Sequence, residues 1–178
     1  MKQIRIGVFE TNSSSVHAIC IATNPEKLDT PKRMAMDFGE FGWGWDRLYL
    51  PQEKLSYALT ALFGAYCGDY DFVADKVKEL KDWLNEDGVE YTSWSLSDAV
   101  FGKTLYWDDN YWHHEGYLDH GGDAKEFVDY VFNCKDNMWN FLFTEDSFVL
   151  TGNDNSESDG HYDALNVDYP HEEFWKGN

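Results

Sequence analysis

Residues 4–22 decide the fold, and they read IRIGVFETNSSSVHAICIA. Apolar residues alternate with other residues in Ile4–Phe9 and again in Val16–Ala22, on either side of a polar run. Period-two alternation is typical of β-strands, and Asn and Ser favour the turn between them. The pattern predicts two antiparallel strands joined as a hairpin. The residues expected to face the core are Ile6, Val8, Ile19 and Ile21.

The rest of the chain predicts helices followed by one more strand. Apolar residues recur at intervals of three and four in 55–66 and 73–84, which is typical of two amphipathic helices. A third helical stretch covers 123–143, with a break near 135–137, and a late strand covers 147–151, closed by a turn at 152–155. Short strands are also expected in 34–38 and 89–94. The sequence therefore predicts one α+β domain over 1–178, with a small, mostly antiparallel sheet, three or four helices and a partly irregular acidic region at about 154–178.

Composition excludes several classes of protein. The 178 residues include 33 acidic and 14 basic side chains, a formal charge of −19, and 17% aromatic residues. Hydrophobic residues make up 43% of the chain, which is too large a share for a disordered acidic tail. No apolar run is long enough for a transmembrane helix. The opening residues do not read as a signal peptide, and three widely spaced cysteines without a C-x-x-C pair indicate an intracellular protein. We expect a location in the cytoplasm of a bacterial host cell.

The negative charge is concentrated in one half of the chain. Residues 1–54 carry seven acidic and seven basic side chains, whereas residues 105–178 carry 17 acidic side chains against three basic ones. A broad basic face that binds nucleic acid directly is excluded by this balance. A surface rich in carboxylates can instead mimic the phosphates of nucleic acid and occupy a basic channel of a partner. The alternative is that the charge only keeps the protein in solution.

We call residues 105–178 the acidic half of the chain. Aromatic and acidic residues are interleaved in one short stretch of it. Trp and Tyr are favoured anchors at the centre of protein interfaces, and carboxylates there would meet a basic partner. The sequence therefore predicts a partner-binding segment here. Its candidate residues are Trp107, Asp108, Asp109, Tyr111, Trp112, Glu115 and Asp119.

The polar run between the two predicted strands is the candidate for catalysis. Glu10 and His17 flank it, and a hairpin would bring a carboxylate close to an imidazole, as in a general acid–base pair. The residues of this alternative are Glu10, Asn12, Ser13, Ser14 and His17. We expect a rigid loop in which Glu10, Asn12 and His17 converge. The competing interpretation is a turn whose Asn and Ser side chains bond their own backbone.

Metal and cofactor sites have little support in the sequence. The candidate ligands are three histidines that lie among carboxylates, namely His113, His114 and His120. Histidine and carboxylate side chains both bind zinc or manganese. However, no H-E-x-x-H pattern is present, and adjacent histidines on a strand point in opposite directions. Phosphate-binding and dinucleotide-binding glycine motifs are also absent from the sequence. We expect no metal and no cofactor.

The segment from Arg5 to His17, RIGVFETNSSSVH, resembles the N-terminal signature of a family of small proteins from phages and Gram-positive bacteria. The later stretch Thr151–Asn155 is also similar to members of that family. The resemblance implies a mobile-element context, since the family is largely uncharacterised. In size and charge the chain is also similar to phage-encoded anti-CRISPR inhibitors of type II systems.

These observations lead to three functional hypotheses. We expect a non-enzymatic inhibitor that binds a host nucleic-acid-handling enzyme, most plausibly an RNA-guided nuclease or its guide-RNA complex, in its basic channel. The alternative is a nuclease or related hydrolase, with guide RNA as one candidate substrate, that uses the Glu10/Asn12/His17 loop. The third is a structural phage protein without either activity.

Overall fold

The computed structural model describes residues 15–24, 26–42, 45–92, 106–108, 111–113, 116–118, 124–153 and 164–176. These ranges contain four helices and ten strands. The helices are α1 (Pro51–Ala65), α2 (Tyr70–Glu86), α3 (Lys125–Val131) and α4 (Lys135–Leu142). The strands are β1 (Ser15–Ala22), β2 (Arg33–Ala35), β3 (Glu40–Phe41), β4 (Asp46–Leu48), β5 (Glu90–Thr92), β6 (Tyr106–Asp108), β7 (Tyr111–His113), β8 (Tyr117–Leu118), β9 (Phe148–Asn153) and β10 (His171–Lys176). The predicted α+β class is confirmed.

The main sheet has four strands in the order β10-β1-β9-β4, and all its neighbours are antiparallel. The predicted late strand is β9, although Gly152 and Asn153 extend the strand where the sequence predicted a turn. The predicted strand Ile4–Phe9 lies outside the described residues. In the described sheet β1 pairs with β9 on one side and β10 on the other.

Strand β1 is buried on both faces, which is why its sequence has few polar residues. Ile19 and Ile21 face the helices and join the main core, as the alternation predicted. Ala18 and Cys20 face the other way, into a smaller cluster with Leu165 and residues of β9. The chain after residue 163 therefore covers the sheet face opposite the helices and then returns as β10.

Local signals explain where the helices begin and end. Pro51 occupies the first turn of α1, and the Asp69 side chain accepts a hydrogen bond from the Phe72 amide at the start of α2. The predicted helical stretch 123–143 is two helices, and its break lies at Phe132–Cys134 instead of 135–137. Among the described residues, none of the helices has the length and apolar character needed to cross a membrane.

Two short parallel pairs flank the helical layer. Strand β2 pairs with β5, and β3 pairs with β8. The strand expected in 34–38 is instead β2, which begins at Arg33 and ends at Ala35. The strand expected in 89–94 corresponds to β5 over Glu90–Thr92, and residues 93 and 94 lie outside the described ranges. The side-chain amide of Gln52 donates to the carbonyl of Ala35 and accepts from its amide, at 2.6 and 2.7 Å. Gln52 thus satisfies the backbone of β2 as a neighbouring strand would.

Candidate functional site

His17 is the one member of the catalytic hypothesis that lies within the described residues. It occupies β1, on the face that packs against α1, and its side chain is fully buried. Its Nδ1 atom lies 2.9 Å from the hydroxyl oxygen of Tyr57, which is also buried. Burial raises the pKa of the Tyr57 hydroxyl, so this group stays protonated at physiological pH. His17 and Tyr57 therefore form a buried hydrogen bond that joins β1 to α1.

This burial bears directly on the catalytic hypothesis. A general acid or base must come within hydrogen-bond reach of the substrate proton that it moves. The His17 ring instead faces the core beside Tyr57, with 5.7 Å between the ring centres. Glu10, Asn12, Ser13 and Ser14 lie outside the described residues, so their convergence with His17 stays a prediction. The position of His17 favours a structural role.

The predicted partner-binding segment contains a β-hairpin that the sequence analysis missed. Strands β6 and β7 pair antiparallel, with only Asp109 and Asn110 between them in the sequence. Trp107 is directly opposite Trp112, and Asp108 is directly opposite Tyr111. The pairing therefore brings four of the seven candidate residues together on two adjacent strands. We call residues 106–113 the acidic hairpin.

The acidic hairpin is followed by an anchored segment. Among the described helices and strands, β6 and β7 contact each other more than they contact any other element. A few residues later Gly116 has a positive φ of 110°, and a Cβ atom there would collide with Phe38. Leu118 is buried in the main core. The C-terminal side of the hairpin is thus fixed to the body of the protein within five residues of β7.

The remaining candidates lie outside the described residues. Asp109, Glu115 and Asp119 of the partner-binding set belong to this group, as do His114 and His120. His113 ends β7, directly opposite Tyr106. Within the described ranges, no three His, Cys, Asp or Glu side chains are grouped so as to hold a metal ion.

Lysines do little to offset the negative charge of the acidic half. Lys125 Nζ lies 2.6 Å from the Asp129 carboxylate, and Lys135 lies 2.7 and 3.1 Å from Asp87 and Glu86. The hydrogen bond from Lys135, aided by one from the Trp139 indole, lowers the pKa of the Asp87 carboxyl. Both lysines are therefore already committed to ion pairs. Most carboxylates of residues 105–178 have no lysine of this half to pair with.

Sequence reasoning also missed Lys54, a buried cation in the first turn of α1. Its Nζ atom donates to the carbonyl oxygens of Thr144 and Ser147. The sequence held a partial signal, because Lys54, Ala58 and Ala61 recur at intervals of four and three and so share one face of the predicted helix. In the structure all three are buried. This spacing places Lys54 on a buried face of α1.

Comparisons with known proteins found no protein-family model, no curated protein and no solved structure that matches this chain.

Proposed function

We propose that this protein is an acidic inhibitor of a host enzyme that handles nucleic acid, namely an RNA-guided CRISPR nuclease. In this proposal the acidic half of the chain occupies the basic channel in which the enzyme binds its guide or target. The observation that carries it is the acidic hairpin, in which Trp107 opposes Trp112 and Asp108 opposes Tyr111. Aromatic anchors among carboxylates suit a partly desolvated interface with a basic protein.

The charge distribution supports the same proposal. Residues 105–178 have a net charge of −14, from 17 acidic and three basic side chains. Like charges at this density repel one another and cost folding free energy, and a basic partner would relieve that repulsion. Lys125 and Lys135 leave most of this charge uncompensated, because each pairs with acidic side chains beside it.

The buried position of His17 favours an inhibitor over the alternative hydrolase. A histidine that hydrogen-bonds Tyr57 in the core cannot reach a substrate at the surface without local unfolding. No other observation on the described residues supports hydrolysis.

The test is inhibition of guided DNA cleavage by purified nuclease–guide complexes. One variant replaces Asp108, Asp109, Glu115 and Asp119 by Lys. The charge-matched control replaces four exposed acidic residues of α2 by Lys, namely Asp71, Asp75, Asp82 and Glu86. The proposal predicts that the first variant loses inhibition and the control keeps most of it, while circular dichroism finds both folded. Equal inhibition by the first variant and the wild type would contradict the proposal.

A competition assay separates channel occupation from binding elsewhere on the nuclease. Labelled target DNA should be excluded when the protein is bound first, because both occupy the same basic surface. Binding of both at once would overturn the proposed mode of inhibition.

The alternative hydrolase is tested by His17→Ala. Loss of inhibition in a variant that remains folded would favour catalysis.

A further inference from the structure

The chain that leaves the acidic hairpin passes through a glycine that no other residue could replace without strain. Gly116 lies three residues after the end of β7, and its φ of 110° is in a region that L side chains rarely adopt. The space beside it is also closed. A Cβ atom at this position would collide with the Cβ atom of Phe38 and would lie 3.1 Å from the carbonyl oxygen of Gly39. The backbone angle and the close packing therefore both require glycine here.

The two residues after Gly116 attach this segment to the body of the protein. Tyr117 and Leu118 form β8, which pairs parallel with β3 at Glu40 and Phe41. Leu118 is buried in the main core, and helix α1 contacts β8. A glycine turn and a buried strand thus follow within five residues of the acidic hairpin.

The residues against which Gly116 packs are themselves fixed to α1. The Gly39 amide donates a hydrogen bond to the Thr60 hydroxyl oxygen at 3.0 Å. The Phe38 ring packs edge-on against the Phe63 ring, with 4.7 Å between their centres. Because Thr60 and Phe63 are three residues apart, they lie on the same face of α1. Gly116 is therefore packed against a segment that this helix holds in place.

The acidic hairpin needs such an attachment. Each of its strands has three residues, and an isolated two-stranded hairpin is at best marginally stable in water. Its order must therefore depend on contacts with the rest of the protein. In the described part of the chain, the attachment nearest to the hairpin in sequence is the segment 116–118.

We propose that Gly116 is a positioning residue that, together with β8, holds the acidic hairpin in one orientation relative to α1 and so presents it preformed to its basic partner. The inference rests on the proposed function for the identity of that partner. A segment that already has its bound conformation loses less conformational entropy on binding. If only a fraction of the molecules holds the hairpin correctly, the apparent affinity falls by that fraction. Gly116 thus acts on binding through the hairpin.

The backbone dynamics of the free, isotope-labelled full chain test the positioning step without any partner. In the wild type, the NMR order parameters of the Trp107 and Trp112 amides should reach about 0.85, the value of a rigid backbone. Gly116→Ala should lower them below about 0.6 by displacing the anchor. Gly68→Ala is the matched control. Gly68 has a φ of 100°, but no described residue lies within 4 Å of an added Cβ, so this variant should leave the hairpin ordered.

Association kinetics test the consequence for binding. Gly116→Ala leaves every charge in place, so it should associate with the nuclease–guide complex about five- to tenfold more slowly than the wild type, with the same dependence on salt. Leu118→Ala removes the buried side chain of β8 and should act in the same direction, which keeps the test decisive if Gly116→Ala does not fold. Leu84→Ala truncates a buried leucine of α2 and should associate as the wild type does.

Three results would overturn the inference. Order parameters below about 0.6 for Trp107 and Trp112 in the wild type would mean that the hairpin is not held. Wild-type order and association in the folded Gly116 and Leu118 variants would mean that the segment 116–118 does not position it. An equal loss in Gly68→Ala would mean that backbone strain anywhere has this effect. Failure of the wild type to bind the nuclease would instead contradict the proposed function, and the order parameters would then decide the positioning role.

Discussion

The side chain of Lys54 donates a hydrogen bond to the main-chain carbonyl of Thr144, with 2.7 Å between Nζ and the oxygen. A second bond, of 3.0 Å, reaches the carbonyl of Ser147. Together they tie the first turn of α1 to the segment that joins α4 to β9. Lys54 is fully buried, and this burial lowers the pKa of its ammonium group to about 7, although the neighbouring carboxylate of Glu53 raises it slightly.

The first prediction is that the free energy of unfolding rises with pH between about 7 and 9. The unfolded chain keeps Lys54 protonated up to its ordinary pKa, near 10.4, whereas the folded protein releases the proton near 7. The unfolded state therefore binds more protons in this window, and linkage makes stability increase with pH, on the order of 2 kcal/mol over two pH units. Urea denaturation at a series of pH values measures it.

Lys54→Met identifies the source of that slope. Met has a similar shape and no charge, so the rise in stability between pH 7 and 9 should be largely lost. Lys54→Met also changes the free energy of unfolding at every pH, because the carbonyls of Thr144 and Ser147 lose their hydrogen-bond donor. The test therefore compares the slopes with pH and not the absolute stabilities. A variant that keeps the wild-type slope would place the titrating group elsewhere.

The second prediction concerns the buried pair of His17 and Tyr57. Tyr57→Phe removes the hydroxyl 2.9 Å from the His17 ring and should lower the free energy of unfolding by about 1–2 kcal/mol. Inhibition assayed well below the melting temperature should be unchanged, because the pair holds β1 against α1. Loss of inhibition in a variant with an unchanged melting temperature would indicate a catalytic role for this pair.

Regular patterns in the sequence predicted the regular parts of the fold. The alternation around Ile19 and Ile21 and the helical spacing of 55–66 and 73–84 correspond to β1, α1 and α2. Strand β10 was missed because His171–Lys176 contains adjacent glutamates and no alternation. Among the side chains of this strand that the structure describes, Phe174 is the one that packs against the main core. Its place is set by pairing with β1, a contact more than 140 residues away in sequence that no local pattern encodes.

The candidate site was predicted as a set of residues but not as a structure. Interleaved aromatic and acidic residues singled out Trp107, Asp108, Tyr111 and Trp112. Residues 102–123 have no period-two pattern, so the pairing of β6 with β7 could not be inferred. The inward position of His17 could have been inferred, because the alternation that places Ile19 and Ile21 toward the core puts His17 on the same face of β1. Its partner Tyr57 could not be inferred, because the two residues lie 40 positions apart in sequence.

The third prediction is that Leu50→Ser stabilises the protein. Leu50 is the N-cap of α1, and no side-chain hydrogen bond caps the helix from that position. A serine hydroxyl can accept from a first-turn amide and should raise the free energy of unfolding by about 0.5–1 kcal/mol. Leu50→Ala is the control, since it removes the same exposed apolar surface without adding an acceptor. Thermal denaturation in which Ser and Ala are equivalent would refute the capping argument.

The central claim is that the acidic half enters a basic channel, and the salt dependence of association tests it most directly. The association rate constant with the nuclease–guide complex is measured from about 50 to 300 mM salt, where the Debye length falls from roughly 14 to 6 Å. The account predicts a steep fall for the wild type. The Lys variant of Asp108, Asp109, Glu115 and Asp119 should associate at least about tenfold more slowly at low salt, with a flatter dependence. A wild-type rate indifferent to salt, or equal rates for both proteins, would contradict the account.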